Sequence, residues 1–311
     1  MAPDHPPVPG KLYDVGGYRL HLQRQGSGRP AAVLDTGLGG NSLLWANALP
    51  AVAAVTEAIT FDRAGSGWSD PAPAGQRRTS RQLVAELRQL LLAAGAEPPY
   101  VLVGHSSVAI HMLVYAKHFP EEVVGMVLVE PSTPDMFHRV RLIPGPGFMA
   151  GMYGGLAALG RIGLLRWLGP AYLRTLLPDG DRLLPAPAWE ALRYFAAQGR
   201  DYRAAAREAA AGAESFADAM GAPGTLGALP LIVLTADWWV SGKPSAMKRA
   251  FVPLREALAA YSTIGRHEVV SGCDHTNLPI ARQDAVAEAV RSVLEAWKGR
   301  DGASGRPVSE R

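Results

Sequence analysis

The 311-residue chain is predicted to be an α/β protein built on one mostly parallel, doubly wound sheet. Short apolar runs, several of them β-branched, recur at residues 31–35, 58–62, 100–104, 123–130, 229–237 and 267–270. Segments of helical spacing separate them, which is how parallel strands covered on both faces read. The third observation is local. Gly104-His105-Ser106-Ser107-Val108 stands where the run at 100–104 gives way to a helical pattern, so Ser106 falls at a sharp strand-to-helix bend.

The elements follow in order. Residues 11–25 alternate in polarity around Gly16-Gly17, a turn signal that predicts an N-terminal antiparallel hairpin ahead of the parallel strands. Leu83, Leu87, Leu90 and Leu91 share one helical face after the cap candidates Thr79 and Ser80. Val286, Val290, Val293, Leu294 and Trp297 repeat that spacing near the C-terminus. Between the sixth and seventh strands the alternation stops. Residues 132–227 are Gly/Pro-rich and apolar, then alanine-rich and helical, and read as a helical cap inserted into a core of residues 11–131 and 228–298. Residues 1–10 and 299–311 read as flexible termini.

Composition narrows the function. A net charge of +3 arises from scattered arginines with no Lys/Arg run, so no nucleic-acid partner is expected. The single cysteine, Cys273, excludes an intrachain disulfide framework and a cysteine-cluster metal site. No signal peptide is visible at the N-terminus, and a cytoplasmic location is expected. Residues 142–160 carry no charge over nearly a bilayer's span, but Pro144, Pro146 and six glycines oppose a membrane helix. They are expected to form an apolar lid, with membrane contact unexpected and the oligomeric state left open.

Ser106 carries the chemistry. A serine hydroxyl becomes a useful nucleophile when a bend holds it beside a base and beside N–H groups that can bind an oxyanion. Three further segments accompany it: Asp35-Thr36-Gly37-Leu38-Gly39-Gly40, the stretch from Asp62-Arg63 to Trp68-Ser69, and Gly272-Cys273-Asp274-His275 after the last strand. In this order the four motifs resemble the α/β-hydrolase superfamily, in its esterase/lipase-like branch with a helical lid. The resemblance spans roughly residues 11–297.

It implies Ser106 as nucleophile, His275 as base, and the amides of Leu38 and Ser107 as oxyanion donors, with Gly37 leaving room beside them. For the acid it leaves two candidates. Asp237, after the seventh strand, is the favoured one, and Glu130, after the sixth, is the alternative used by some relatives. Two positions depart from the family pattern, Val108 where the elbow ends in glycine and Thr36 where many relatives carry histidine. Trp45, Trp68, Trp238, Trp239, Phe148, Met149, Met152 and Tyr153 are candidates to wall an acyl cavity. The implied activity is hydrolysis of a small-molecule carboxylic ester with an apolar acyl group, through an acyl-enzyme and with no cofactor. Peptidase, thioesterase, lactonase or acyltransferase activity is the alternative on the same machinery, and a non-catalytic hydrolase-like binding protein is the alternative outside it.

Overall fold

The computed structural model describes residues 5–140, 144–239 and 246–304. Among these, β1 (Lys11–Asp14), β2 (Arg19–Gln25), β3 (Ala31–Asp35), β4 (Ala58–Phe61), β5 (Tyr100–His105), β6 (Val123–Val129), β7 (Leu231–Ala236) and β8 (Arg266–Val270) form one sheet. Their order is β1-β2-β4-β3-β5-β6-β7-β8. β1 pairs antiparallel with β2, and the Asp14 carboxylate accepts from the amides of Gly16 and Gly17 to close the expected hairpin. β2 is antiparallel to β4 as well, and every later pairing is parallel.

Strand side chains alternate between two cores, as the period of two requires. Val33, Ile59, Leu102, Met126 and Val233 pack with helix α1 (Ser80–Ala93) and helix α2 (Ala109–His118) on one face. Ala32, Leu34, Val101, Val103, Val127 and Ile232 face the other way, toward Val286, Val290 and Val293. Complete burial of each Val, Leu or Ile side chain stabilises the fold by about 1.5–3 kcal/mol. The predicted α1 stripe is the buried one, and Thr79 caps that helix by accepting from the Gln82 amide.

Between β6 and β7 the chain runs through α3 (Pro146–Arg161), α4 (Leu165–Leu176), α5 (Ala186–Ala196), α6 (Arg200–Ala210) and α7 (Gly212–Ala219). The uncharged stretch is thus largely the helix α3, whose Ala157 packs with Leu165 and Tyr202. Leu142, at the start of the expected lid, lies outside the described residues. No helix among the described residues is long and apolar enough to cross a membrane. After β7 come α8 (Ala246–Ala259) and, following β8, α9 (Gln283–Ser304).

The chain reverses direction across the sheet at β3, which has β4 on one side and β5 on the other. In an open α/β sheet that reversal opens a crevice at the strands' carboxyl ends, and ligands bind there. The glycine loop after β3 and the Ser106 bend after β5 flank it, since Asp35 pairs with Gly104.

Candidate active site

Ser106 has φ 58°, a left-handed conformation that is costly for a residue with a Cβ. It follows β5 directly and opens a single 3-10 turn, Ser106–Val108, that leads into α2. Val108, in place of the elbow glycine, is completely buried. Space for it comes from Gly104, where an added Cβ would lie 3.1 Å from Val108 Cγ1 and 2.9 Å from Met112 Cγ. The close approach of strand and helix therefore depends on the first glycine of the pentapeptide, and the elbow forms without the last.

The Ser106 hydroxyl lies 3.1 Å from His275 Nε2, and His275 Nδ1 lies 3.0 Å from Glu130 Oε2. Glu130 immediately follows β6 and is the second non-glycine residue with positive φ among the described residues, at 50°. Arg255, on α8, donates to both Glu130 oxygens at 3.0 and 2.9 Å, and the Ala236 amide donates to Oε1 at 2.5 Å. Burial alone would raise the Glu130 carboxyl, but the His275 hydrogen bond and the Arg255 charge outweigh it and hold the group down at about 2. It is a carboxylate throughout the neutral range.

The carboxylate that lies against His275 is Glu130 and not Asp237, the favoured candidate. The Asp237 oxygens accept from the amides of Gly272 and Cys273 at 3.0 and 3.4 Å, so it braces the loop that carries His275. Sheet order explains the difference. β6 is the immediate neighbour of β5, whereas β7 is one strand further away, so the end of β6 is nearer to the Ser106 bend.

The same loop is fixed from two other sides. Asp274 accepts from the amides of Thr276 and Asn277, each at 2.9 Å. His105 Nε2 lies 2.9 Å from the His275 carbonyl, which makes that nitrogen the donor. Burial and the neighbouring His275 push the His105 ring down to about 3, so it is neutral. His105 thus holds the His275 backbone in place.

Gly37 sits against Ser106, where an added Cβ would lie 2.8 Å from the serine Cβ. Arg63 donates to the carbonyls of Thr36 and Gly37 at 2.6 and 3.1 Å, and it also binds Asp35 and Glu208. The Leu38 amide donates to Ser107 Oγ at 2.9 Å. That amide therefore already has a side-chain partner. Asp62, in the other motif loop, accepts from the Ser42 and Trp68 amides and braces the crevice without lining it.

A cavity of about 410 Å³ opens over Ser106, lined by Gly37, Leu38, Ser107, His275 and side chains from α3 to α7. Met149 and Tyr153 belong to its wall as expected. Other aromatic candidates do not. Trp45 and Trp68 are buried in the cores, while Phe148 and Trp238 are exposed. Met152 is outside the wall, and the Trp239 side chain lies outside the described residues.

Sequence reasoning missed Arg255, Glu208, Asp201 and His111. A signal existed for Arg255, which interrupts the apolar face of Phe251, Leu254 and Leu258 on α8. Buried among them, an arginine requires a carboxylate partner.

The model of the alpha/beta hydrolase fold matches residues 33–199, more than half of the chain. The chain belongs to this family. The uncharacterized Bacillus subtilis protein YqjL is 36% identical over 126 residues, which cover 40% of this α/β hydrolase and 49% of that relative. The chain thus spans about half the length of that curated relative. A thermophilic esterase from Thermogutta terrifontis superposes with a TM-score of 0.64 at 18% identity, over 90% of this chain and 94% of that one. The enol-lactonase from Burkholderia xenovorans LB400 does so with 0.65 at 18% identity, over 92% and 100%. At such identities the likeness is one of fold.

Proposed function

We propose that this α/β hydrolase cleaves carboxylic esters through an acyl-enzyme on Ser106, with His275 as base and Glu130 as acid. The observation that carries the reading is the unbroken contact from Ser106 Oγ through His275 to Glu130, at 3.1 and 3.0 Å. Glu130 accepts from Nδ1, which leaves the Nε2 lone pair for the hydroxyl proton and steadies the imidazolium once that proton has moved. The only two non-glycine residues with positive φ among the described residues are Ser106 and Glu130, and backbone strain of this kind gathers at functional sites.

The steps follow from these contacts. His275 takes the Ser106 proton as Oγ attacks the ester carbonyl, and the C–O bond to the alcohol breaks as His275 returns the proton to the leaving oxygen. Water, deprotonated by the same imidazole, then cleaves the acyl-enzyme. The backbone amides of Leu38 and Ser107 bind the oxyanion, and the helical segment 132–227 caps an apolar acyl site. A serine at the bend supports acyl transfer, and a lactone is the cyclic case of the same substrate class.

The test is labelling with a fluorophosphonate probe followed by peptide mapping, alongside hydrolysis of p-nitrophenyl esters. The adduct is expected on Ser106, and Ser106→Ala is expected to abolish both labelling and turnover. Equal background hydrolysis from both proteins would overturn the reading in favour of a binding role.

A further inference from the structure

The cavity contains a second serine–histidine contact, away from Ser106. His111 lies five residues further along the chain, on α2, and lines the cavity. Its Nδ1 is 2.7 Å from the hydroxyl of Ser80, which is fully buried at the start of α1. Nδ1 is the only acceptor that this hydroxyl meets among the described residues. A buried O–H without an acceptor costs about 1–3 kcal/mol, so the hydroxyl donates and Nδ1 holds the lone pair. The ring proton is then on Nε2. The hydrogen bonds of this ring among the described residues stop at Nδ1, so the Nε2 proton is left for an acceptor outside the protein, and His111 borders the cavity. Burial and the Arg63 charge push the imidazole down to about 4, which keeps it in this neutral form at pH 7.

The geometry points to His111 Nε2–H as a specificity-determining donor for a neutral oxygen acceptor, a ketone, ether or amide carbonyl, carried in the remote part of the acyl group. This deepens the ester reading and rests on it. Glu208 and Asp201 line the same cavity, whereas no lysine or arginine does among the described residues. Arg63 neutralises Glu208, and burial pushes the Asp201 carboxyl up to about 7, so the lining offers an acyl carboxylate no cationic partner. Met149, Leu173, Leu176 and Phe195 provide the apolar wall along which the intervening methylenes lie.

The test uses p-nitrophenyl octanoate and a series of octanoates that carry one ketone at successive chain positions. In the wild type, kcat/KM for the best ketone is expected to exceed that for octanoate by about threefold to tenfold, the worth of one neutral hydrogen bond. His111→Leu is expected to bring this ratio to about one, while His111→Gln, which keeps an N–H, retains most of it. Ser80→Ala releases the ring from a single tautomer and gives an intermediate ratio. Because each ratio is read within one variant, a general loss of activity cancels. The matching octanamides, bound to Ser106→Ala and followed by calorimetry, report the same preference without turnover, so failure of the ester reading is seen separately. No preference at any ketone position, or the same ratio in His111→Leu as in the wild type, would overturn the proposal and turn Nε2 toward the water-sized void that His111 shares with Arg63 and Asp35.

Discussion

Replacing Glu130 by glutamine tests the relay where sequence and structure differ most. Glu130 Oε2 accepts from His275 Nδ1 while Arg255 and the Ala236 amide hold the carboxylate in place. In the variant, Oε1 can keep Arg255 and Ala236, which presents the amide NH₂ to Nδ1. The imidazole then moves its proton to Nε2, where it meets the Ser106 hydroxyl and cannot accept from it. Loss of the correct tautomer costs about 10⁴-fold in kcat, or about 5 kcal/mol at 1.36 kcal/mol for each factor of ten. Stability falls as well. The buried ion pair between Arg255 and Glu130 is lost, and breaking a buried pair typically costs about 3–5 kcal/mol. Asp237→Asn is the control, because among the described residues its oxygens accept only from the Gly272 and Cys273 amides, and its kcat is expected to stay within about tenfold of wild type. Both variants would be assayed on a p-nitrophenyl ester at a temperature where circular dichroism shows each to be folded. A loss of about 10³-fold or more in Asp237→Asn, with Glu130→Gln close to wild type, would refute the assignment.

Three other outcomes follow from particular contacts. Gly37→Ala brings a Cβ to within 2.8 Å of Ser106 Cβ, so Ser106 must shift, and kcat should fall by about 10²-fold with little change in melting temperature if Ser106 is the nucleophile proposed. Val108→Gly empties a filled site beside Gly104 and should destabilise the chain by about 3 kcal/mol in denaturant unfolding. A variant that becomes more stable would show that Val108 strains the elbow. His105 should make the fold acid-sensitive: between its ordinary 6.5 and about 3, the folded chain binds fewer protons at this ring than the unfolded chain. Stability is therefore lost as the pH falls below 6.5, by up to about 1.4 kcal/mol per pH unit. His105→Gln keeps a donor for the His275 carbonyl and should flatten that slope, and equal slopes in the two proteins would contradict a buried neutral ring.

What was legible in the sequence was local. The Ser106 bend, the hairpin at Gly16-Gly17 and the α1 leucine stripe each depend on a few adjacent residues whose φ or periodicity the backbone fixes. The carboxylate that reaches His275 was not legible in that way. Two carboxylates follow neighbouring strands, and the choice between them depends on the placement of β6 beside β5 and on Arg255, 125 residues after Glu130.

The polar lining of the cavity escaped the sequence for a related reason. Helix α6, Arg-Asp-Tyr-Arg-Ala-Ala-Ala-Arg-Glu-Ala-Ala, carries enough charge to read as a solvated surface helix. Its Ala204, Ala205 and Ala209 are buried, however, and so are Asp201 and Glu208 on the same face. Asp201 accepts from Asn41 and the Gly67 amide, and Glu208 from Arg63. Small residues let that face come close, and the carboxylates find their donors in the two motif loops. Arg63 then has a second consequence. One guanidinium holds both the Glu208 carboxylate above the cavity and the Thr36 and Gly37 carbonyls beside Ser106. Arg63 thus ties α6 directly to the loop that presents the Leu38 amide.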